Sequence, residues 1–211
     1  MRAIQMNLKR IIVVAAVALV LVLTGCGKKQ DPTRPSEAAS LSQQGWELFA
    51  LADYDGALAK FDEALELLSE HPDANHGRAW TLAFLGQFNE ARFTIVLARD
   101  LDRSNPDVWA GGAFIFSVLD NQDEVVYWAE AALAWNADEF GEGVSWFFSK
   151  RSTINHLHLR WVLAEAFLNR GSYSQCAGQL DIIESGVEHS VDPQSLLADL
   201  QRLYSTLSPP F

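Results

Sequence analysis

The chain has 211 residues, 49% of them hydrophobic and 20% charged, enough for one medium domain with a packed core plus a targeting segment. The first 25 residues hold three basic side chains and no acidic one, so the rest carries 13 basic against 27 acidic residues, about −14 against −11 for the whole chain. A body this acidic repels phosphate backbones, which argues against nucleic acid as a partner.

Taken from the N-terminus, Arg2, Lys9 and Arg10 precede an apolar run over 11–23 and then Thr24-Gly25-Cys26. Positive, apolar and small is the order of a secretory signal. The run of 13 residues falls short of the roughly 20 that a permanent spanning helix needs. Leu23-Thr24-Gly25-Cys26 resembles the lipobox of bacterial lipoproteins. The resemblance implies a signal peptide over 1–25, acylation of Cys26 and attachment to a bilayer on its periplasmic side. Gly27 is not the aspartate that marks inner-membrane retention in enterobacterial lipoproteins, so the outer membrane is favoured in a host with two. Residues 27–40 are polar with two prolines and are expected, with Cys26, to form a tether, the domain starting at about 41. Cys176 is the one other cysteine, which leaves no intramolecular disulfide in the processed chain.

Beyond the tether the sequence repeats with a shift of 34. Gly45 maps to Ala79, Trp46 to Trp80, Ala52 to Gly86, Tyr54 to Phe88, Ala57 to Ala91, Phe61 to Ile95, and Pro72-Asp73 to Pro106-Asp107. A third, degenerate copy passes through Ala113, Phe114, Asp120, Val125 and Ala129, and a fourth through Ala164, Phe167, Gly171, Tyr173 and Cys176, displaced by 17 residues. Small residues recur where two helices would cross, while Leu48, Phe61, Leu65 and Leu68 follow one helical face. Ala52–Asp55 and Leu85–Phe88 fit tight turns between helices, and no alternating strand pattern follows residue 40. The predicted copies cover about 41–72, 73–106, 107–140 and 152–186, with an insertion at 136–152. Over 187–211, Asp192-Pro193 offers an N-cap and first-turn proline for a helix whose face carries Leu196, Leu197, Leu200, Leu203 and Leu207, a lid for the last repeat.

The pattern resembles the tetratricopeptide repeat family, a helix-turn-helix of 34 residues: Ala57-x-x-x-Phe61 matches its second helix, and Gly86 with Phe88 and Gly171 with Tyr173 its turn. The resemblance implies an all-α superhelix of αα-hairpins, about four repeats plus a C-terminal capping helix, and a concave groove lined by first helices. Carried over residue by residue, that groove holds Trp46, Trp80 and Phe114 at the repeat spacing, with Phe49, His76, Phe84, Ser117, Trp161 and Glu165 on the same wall. Exposed rings there would seize an apolar or amphipathic protein segment; packed between helices, the same rings would be core. The family's Lys and Asn clamp for carboxylate-ended peptides is missing, since its positions hold Ser42, Trp46, Gly77, Asp107 and Gly111.

The insertion adds Phe140, Trp146, Phe147 and Phe148. Insertions in solenoids often carry contacts, and the competing reading extends the first helix of copy four back to Trp146. Catalytic signals are weak. His156 and His158 point about 200° apart on a helix and do not share a metal. Asp100 to Ser104 lacks the central glycine and closing glutamate of a calcium loop, Ser145 lacks a nucleophile elbow, and Cys176 sits at a packing position. No cofactor or metal is expected. Function then reads as a membrane-anchored, non-catalytic adaptor or scaffold in cell-envelope assembly, serving pilus or secretin, outer-membrane protein or cell-wall machinery. The alternative is an enzyme or accessory subunit with a site joining Glu165, His156 and the aromatic insertion.

Overall fold

The computed structural model describes residues 33–135, 146–207 and 210. The signal segment, Cys26, the first part of the tether over 27–32 and Phe140 lie outside the described residues. Among the described residues there are nine helices and no strand beyond an isolated bridge between Phe147 and Asn155. The helices are α1 (Arg34–Ala50), α2 (Tyr54–Leu67), α3 (Pro72–Phe84), α4 (Phe88–Leu101), α5 (Pro106–Val118), α6 (Gln122–Ala134), α7 (His156–Asn169), α8 (Tyr173–Ile183) and α9 (Pro193–Leu207). They pair as four antiparallel hairpins, α1/α2 to α7/α8, each stacked on the next, with α9 against α7 and α8.

One turn closes all four hairpins. Ala52, Gly86, Asp120 and Gly171 each have positive φ, between 55° and 75°. The amide of each donates to a carbonyl three residues back, and the next amide to one five residues back, as in Asp53 N–H to Leu48 O (3.0 Å) and Gln87 N–H to Leu82 O (2.8 Å). This is the Schellman arrangement, which satisfies the last carbonyls of a helix through a left-handed residue. Glycine takes that conformation without cost; Ala52 and Asp120 do not.

Packing explains the small-residue positions. A Cβ on Gly77 would lie 2.1 Å from the Phe61 ring, one on Gly111 2.7 Å from Trp80 Nε1, and one on Gly112 2.1 Å from Trp128. Neighbouring hairpins can therefore pass close enough for these rings to fill the seam. Ala57, Ala91, Val125 and Cys176 are all buried at the equivalent place in the second helices.

Two expectations need correction. The first helix begins at Arg34, inside the stretch expected to be tether, and Ala38 on it is fully buried. Pro35 falls in the first turn, where the N–H it lacks has no helical acceptor, so it starts the helix rather than preventing it. On α9, Leu196, Leu200 and Leu203 are buried but Leu197 is exposed, so the apolar face is narrower than predicted. No described helix is long and apolar enough to cross a membrane.

Candidate functional site: a groove in two halves

The first helices α1, α3 and α5 carry the predicted ladder. Trp46 Nε1–H donates to Asp73 at 3.0 Å, and Ser42 Oγ–H donates to the same carboxylate at 2.6 Å. One repeat on, Trp80 Nε1–H donates to the backbone oxygen of Asp107 at 3.2 Å. Each indole is thus pinned to the Pro-Asp start of the next first helix. The recurrence of Trp-to-Asp at equal spacing, Trp46 to Asp73 and Trp80 to Asp107, was the available signal for these acceptors, and the sequence reading did not use it.

Trp46, Phe49, His76, Trp80 and Phe114 are all buried, Phe84 and Ser117 partly so. Part of what covers them is neither solvent-exposed groove nor neighbouring helix. It is the chain's own segment 146–155. Phe148, fully buried, stacks on Trp80 with centroids 4.1 Å apart and meets Trp46, Phe49 and His76 edge-on at 6.1–6.2 Å. Trp146 is buried as well, and its Nε1–H donates to Asp107 Oδ1 at 2.9 Å. The amide and hydroxyl of Ser149 donate to Asp107 Oδ2 at 3.1 and 2.5 Å. Lys150 lies 5.1 Å above the Trp46 ring, and Arg151 lies over Phe84 and donates to Tyr54 Oη at 2.9 Å.

The segment is not a backward extension of the fourth repeat's first helix. That helix starts at His156, where Asn155 and His158 form a capping box. Upstream, Phe148 N–H bonds Ile154 O and His156 N–H bonds Trp146 O, a short reversed loop. Of the insertion aromatics, Trp146 and Phe148 point inward and Phe147, 59% exposed, points out.

Among the described residues, the second half, between α5, α7 and α9, is open. A cleft of about 310 Å³ is lined by Trp161, Glu165, Leu168, Leu197, Leu200 and Tyr204. It adjoins one of about 190 Å³ that shares Trp161, Glu165 and Tyr204 and adds Phe114, Ser117 and Val118. Trp161 is anchored by its indole N–H to Leu200 O at 3.0 Å and packs on the half-exposed Tyr204. Burial, with Asp120 adding to it, pushes the Glu165 carboxyl above its usual pKa. Tyr204 and Leu197 were not singled out beforehand as contact residues, because a capping helix was expected to spend its apolar face on the last repeat.

Other candidates resolve into structure. Both His158 nitrogens are bonded, Nδ1 at the Asn155 cap and Nε2 to Leu207 O at 2.7 Å. Asp102 ends α4 and accepts from Ser104 in the inter-repeat connection. The Cys176 thiol is buried and pushed up to about 11, mainly by desolvation. The cavity beside the insertion is lined by Phe84, Arg151, Thr153, Ile154, His158, Leu207 and Pro210; Pro210 also lines the cavity that holds Glu165.

These observations define a class: an all-α solenoid of helical hairpins, part of whose inner face is covered by the chain's own segment 146–155. Residues 48–113 match the family model described as tetratricopeptide repeat, and the described residues form an all-α helical repeat solenoid of that kind. No curated protein matches it. Among solved structures it is similar to YrrB, described as a TPR protein with an unusual peptide-binding site, at a TM-score of 0.59 and 16% identity over 86% of this chain and 80% of that one. It is similar to MamA, at 0.57 and 12% over 84% and 88%. A kinesin light chain with TPR-like repeats from Podosopora anserina gives 0.53 and 15% over 82% and 88%. At these identities the likeness is one of fold.

Proposed function

We propose that this chain is a lipid-anchored, non-catalytic adaptor that recruits a protein partner through the open half of its groove, in a cell-envelope assembly. The observation that carries the reading is the cleft at Trp161, Glu165 and Tyr204, an unfilled stretch of inner face with an exposed ring and a desolvated carboxyl. An amphipathic segment fits it: an apolar anchor covers Tyr204 and Leu197, and a cationic or hydrogen-bonding group pairs with Glu165, whose carboxylate gains most from a partner because it is already desolvated. That a structural neighbour is described as binding peptide supports the use of this fold for segment capture. The lipobox-like Leu23 to Cys26 supports attachment to a bilayer, with the outer membrane favoured in a two-membrane host.

A photoreactive residue in place of Tyr204 tests both parts in intact cells. The adaptor reading expects a discrete crosslinked partner in the membrane fraction, lost on Glu165→Lys, and release of the chain from that fraction on Cys26→Ser. No crosslink from 204, or one indifferent to Glu165→Lys, overturns the groove; a Cys26→Ser chain that stays on the membrane overturns the anchor. Tyr204 is the better probe site than Trp80, which is buried beneath Phe148.

A further inference from the structure

The filled half of the groove has the features of a site with its ligand in place. Segment 146–151 lies across it, with Trp146 and Phe148 inward and Phe147 outward over 146–148 before the chain turns at Ser149 and Lys150. Asp107 is a buried carboxylate, and the three hydrogen bonds shown to it come from Trp146 and Ser149 of the segment. The equivalent Asp73, one repeat earlier, is instead satisfied from inside the solenoid by Ser42 and Trp46. The segment brings Lys150 and Arg151 to an acidic domain, over the rings of Trp46 and Phe84. The segment also leaves a demand unmet: His76, 1% exposed and in ring contact with Phe148, has no hydrogen-bond partner on either nitrogen among the described residues.

We propose that residues 146–151 are an internal ligand, and that the groove of the first three repeats takes in trans a partner's segment of the same chemistry: two inward aromatic side chains with one residue between them, then a hydroxyl, then cations. The aromatic at the position of Phe148 enters the Trp46, Phe49, His76 and Trp80 socket, the hydroxyl reaches Asp107, and the cations lie on Trp46 and Phe84. The inference goes beyond the open cleft and does not depend on what binds there or on Cys26. An occupant tethered in the same chain competes at an effective concentration of order millimolar, so the groove engages a partner when the internal segment lifts.

The test uses the full chain and a fluorescent hexapeptide with the sequence of residues 146–151. Ser149→Ala with Lys150→Glu and Arg151→Glu loosens the internal segment while keeping its core rings. This variant should bind the peptide about tenfold or more tighter than the unaltered chain, and a peptide with alanine at the Phe148 position should not bind. A folded variant that ignores the peptide, or binds the alanine version equally, overturns the proposal. Hydrogen exchange on the unaltered chain is independent of any folding defect. The amides of Phe148, Ser149 and His156 should exchange about tenfold or more faster than those of α3 around Trp80, through local opening. Exchange of both sets at one common rate makes the segment permanent core and overturns it.

Discussion

The two halves of the inner face are built from the same hairpin yet meet different fates. In repeats one and two Trp46 and Trp80 pack against Phe148, and the buried Asp107 at the start of repeat three accepts from Trp146 and Ser149 of the insertion. At the fourth repeat Trp161 is held by the capping helix, and Tyr204 and Glu165 border unfilled space. The inner face of this fold is thus a row of sockets whose occupancy is set by what the connections between repeats bring to them. Chemistry diverges too. Around His76 the groove is buried, and burial favours the neutral imidazole; at the far end His189 is clasped by Asp181 and Glu184 at 2.8 and 3.0 Å, with Arg202 on Glu184.

The contrast is sharpest for truncations. Phe148→Ala empties the socket and should cost about 3 to 5 kcal/mol in urea unfolding, whereas Tyr204→Ala should stay within about 0.5 kcal/mol. Equal effects would erase the distinction between a filled and an open half.

Acid should act on the two ends in opposite senses. Burial holds His76 down to about 4, outweighing Asp107 and Asp73, which pull upward. Its folded pKa lies below the unfolded value of 6.5, so its stability contribution is full above that value and is lost as pH falls from 6.5 toward 4. The loss reaches about 3 kcal/mol, and His76→Phe should flatten it in urea titrations across that window. For His189, burial lowers the pKa, but the hydrogen bonds its ring N–H groups donate to Asp181 and Glu184 outweigh it and leave a net rise. Its contribution is therefore present below 6.5 and fades as pH climbs through the raised value. Ring titration by NMR separates the two histidines, and like-signed shifts would contradict the contrast.

The smallest effect concerns the turn. Ala52 holds at φ 60° the place that Gly86 and Gly171 fill in other repeats. Ala52→Gly should stabilise by about 0.5 to 1 kcal/mol, because relief of left-handed strain exceeds the added unfolded-state entropy. Gly86→Ala should do the reverse, and a thermal melt of each variant reads it.

The hairpins and their order were legible in the sequence because period, small residues and turn residues are local and repeated: Gly45 faces the Phe61 ring of the adjacent helix, Ala79, Ala113 and Ala164 are buried at the matching positions, and Ala52, Gly86, Asp120 and Gly171 mark the turns. The groove aromatics were legible as positions, but their state was not. It depends on Phe148 meeting Trp46 and Trp80, and on Trp146 reaching Asp107 across 39 residues, contacts that no periodicity encodes. The start of α1 was missed for a local reason: Pro35 in a polar stretch reads as linker unless the buried Ala38 shows that a helix follows.

The most direct test of the central claim is the proximity of Phe148 to Trp80 in solution. Contacts between the Phe148 ring protons and the Trp80 indole by NMR, with the Phe148 ring shifted upfield by stacking at 4.1 Å, are the expected result. A Phe148 ring with random-coil shifts and no contact to Trp80 or Trp46 would contradict it, leaving the first three repeats with a groove as open as the fourth.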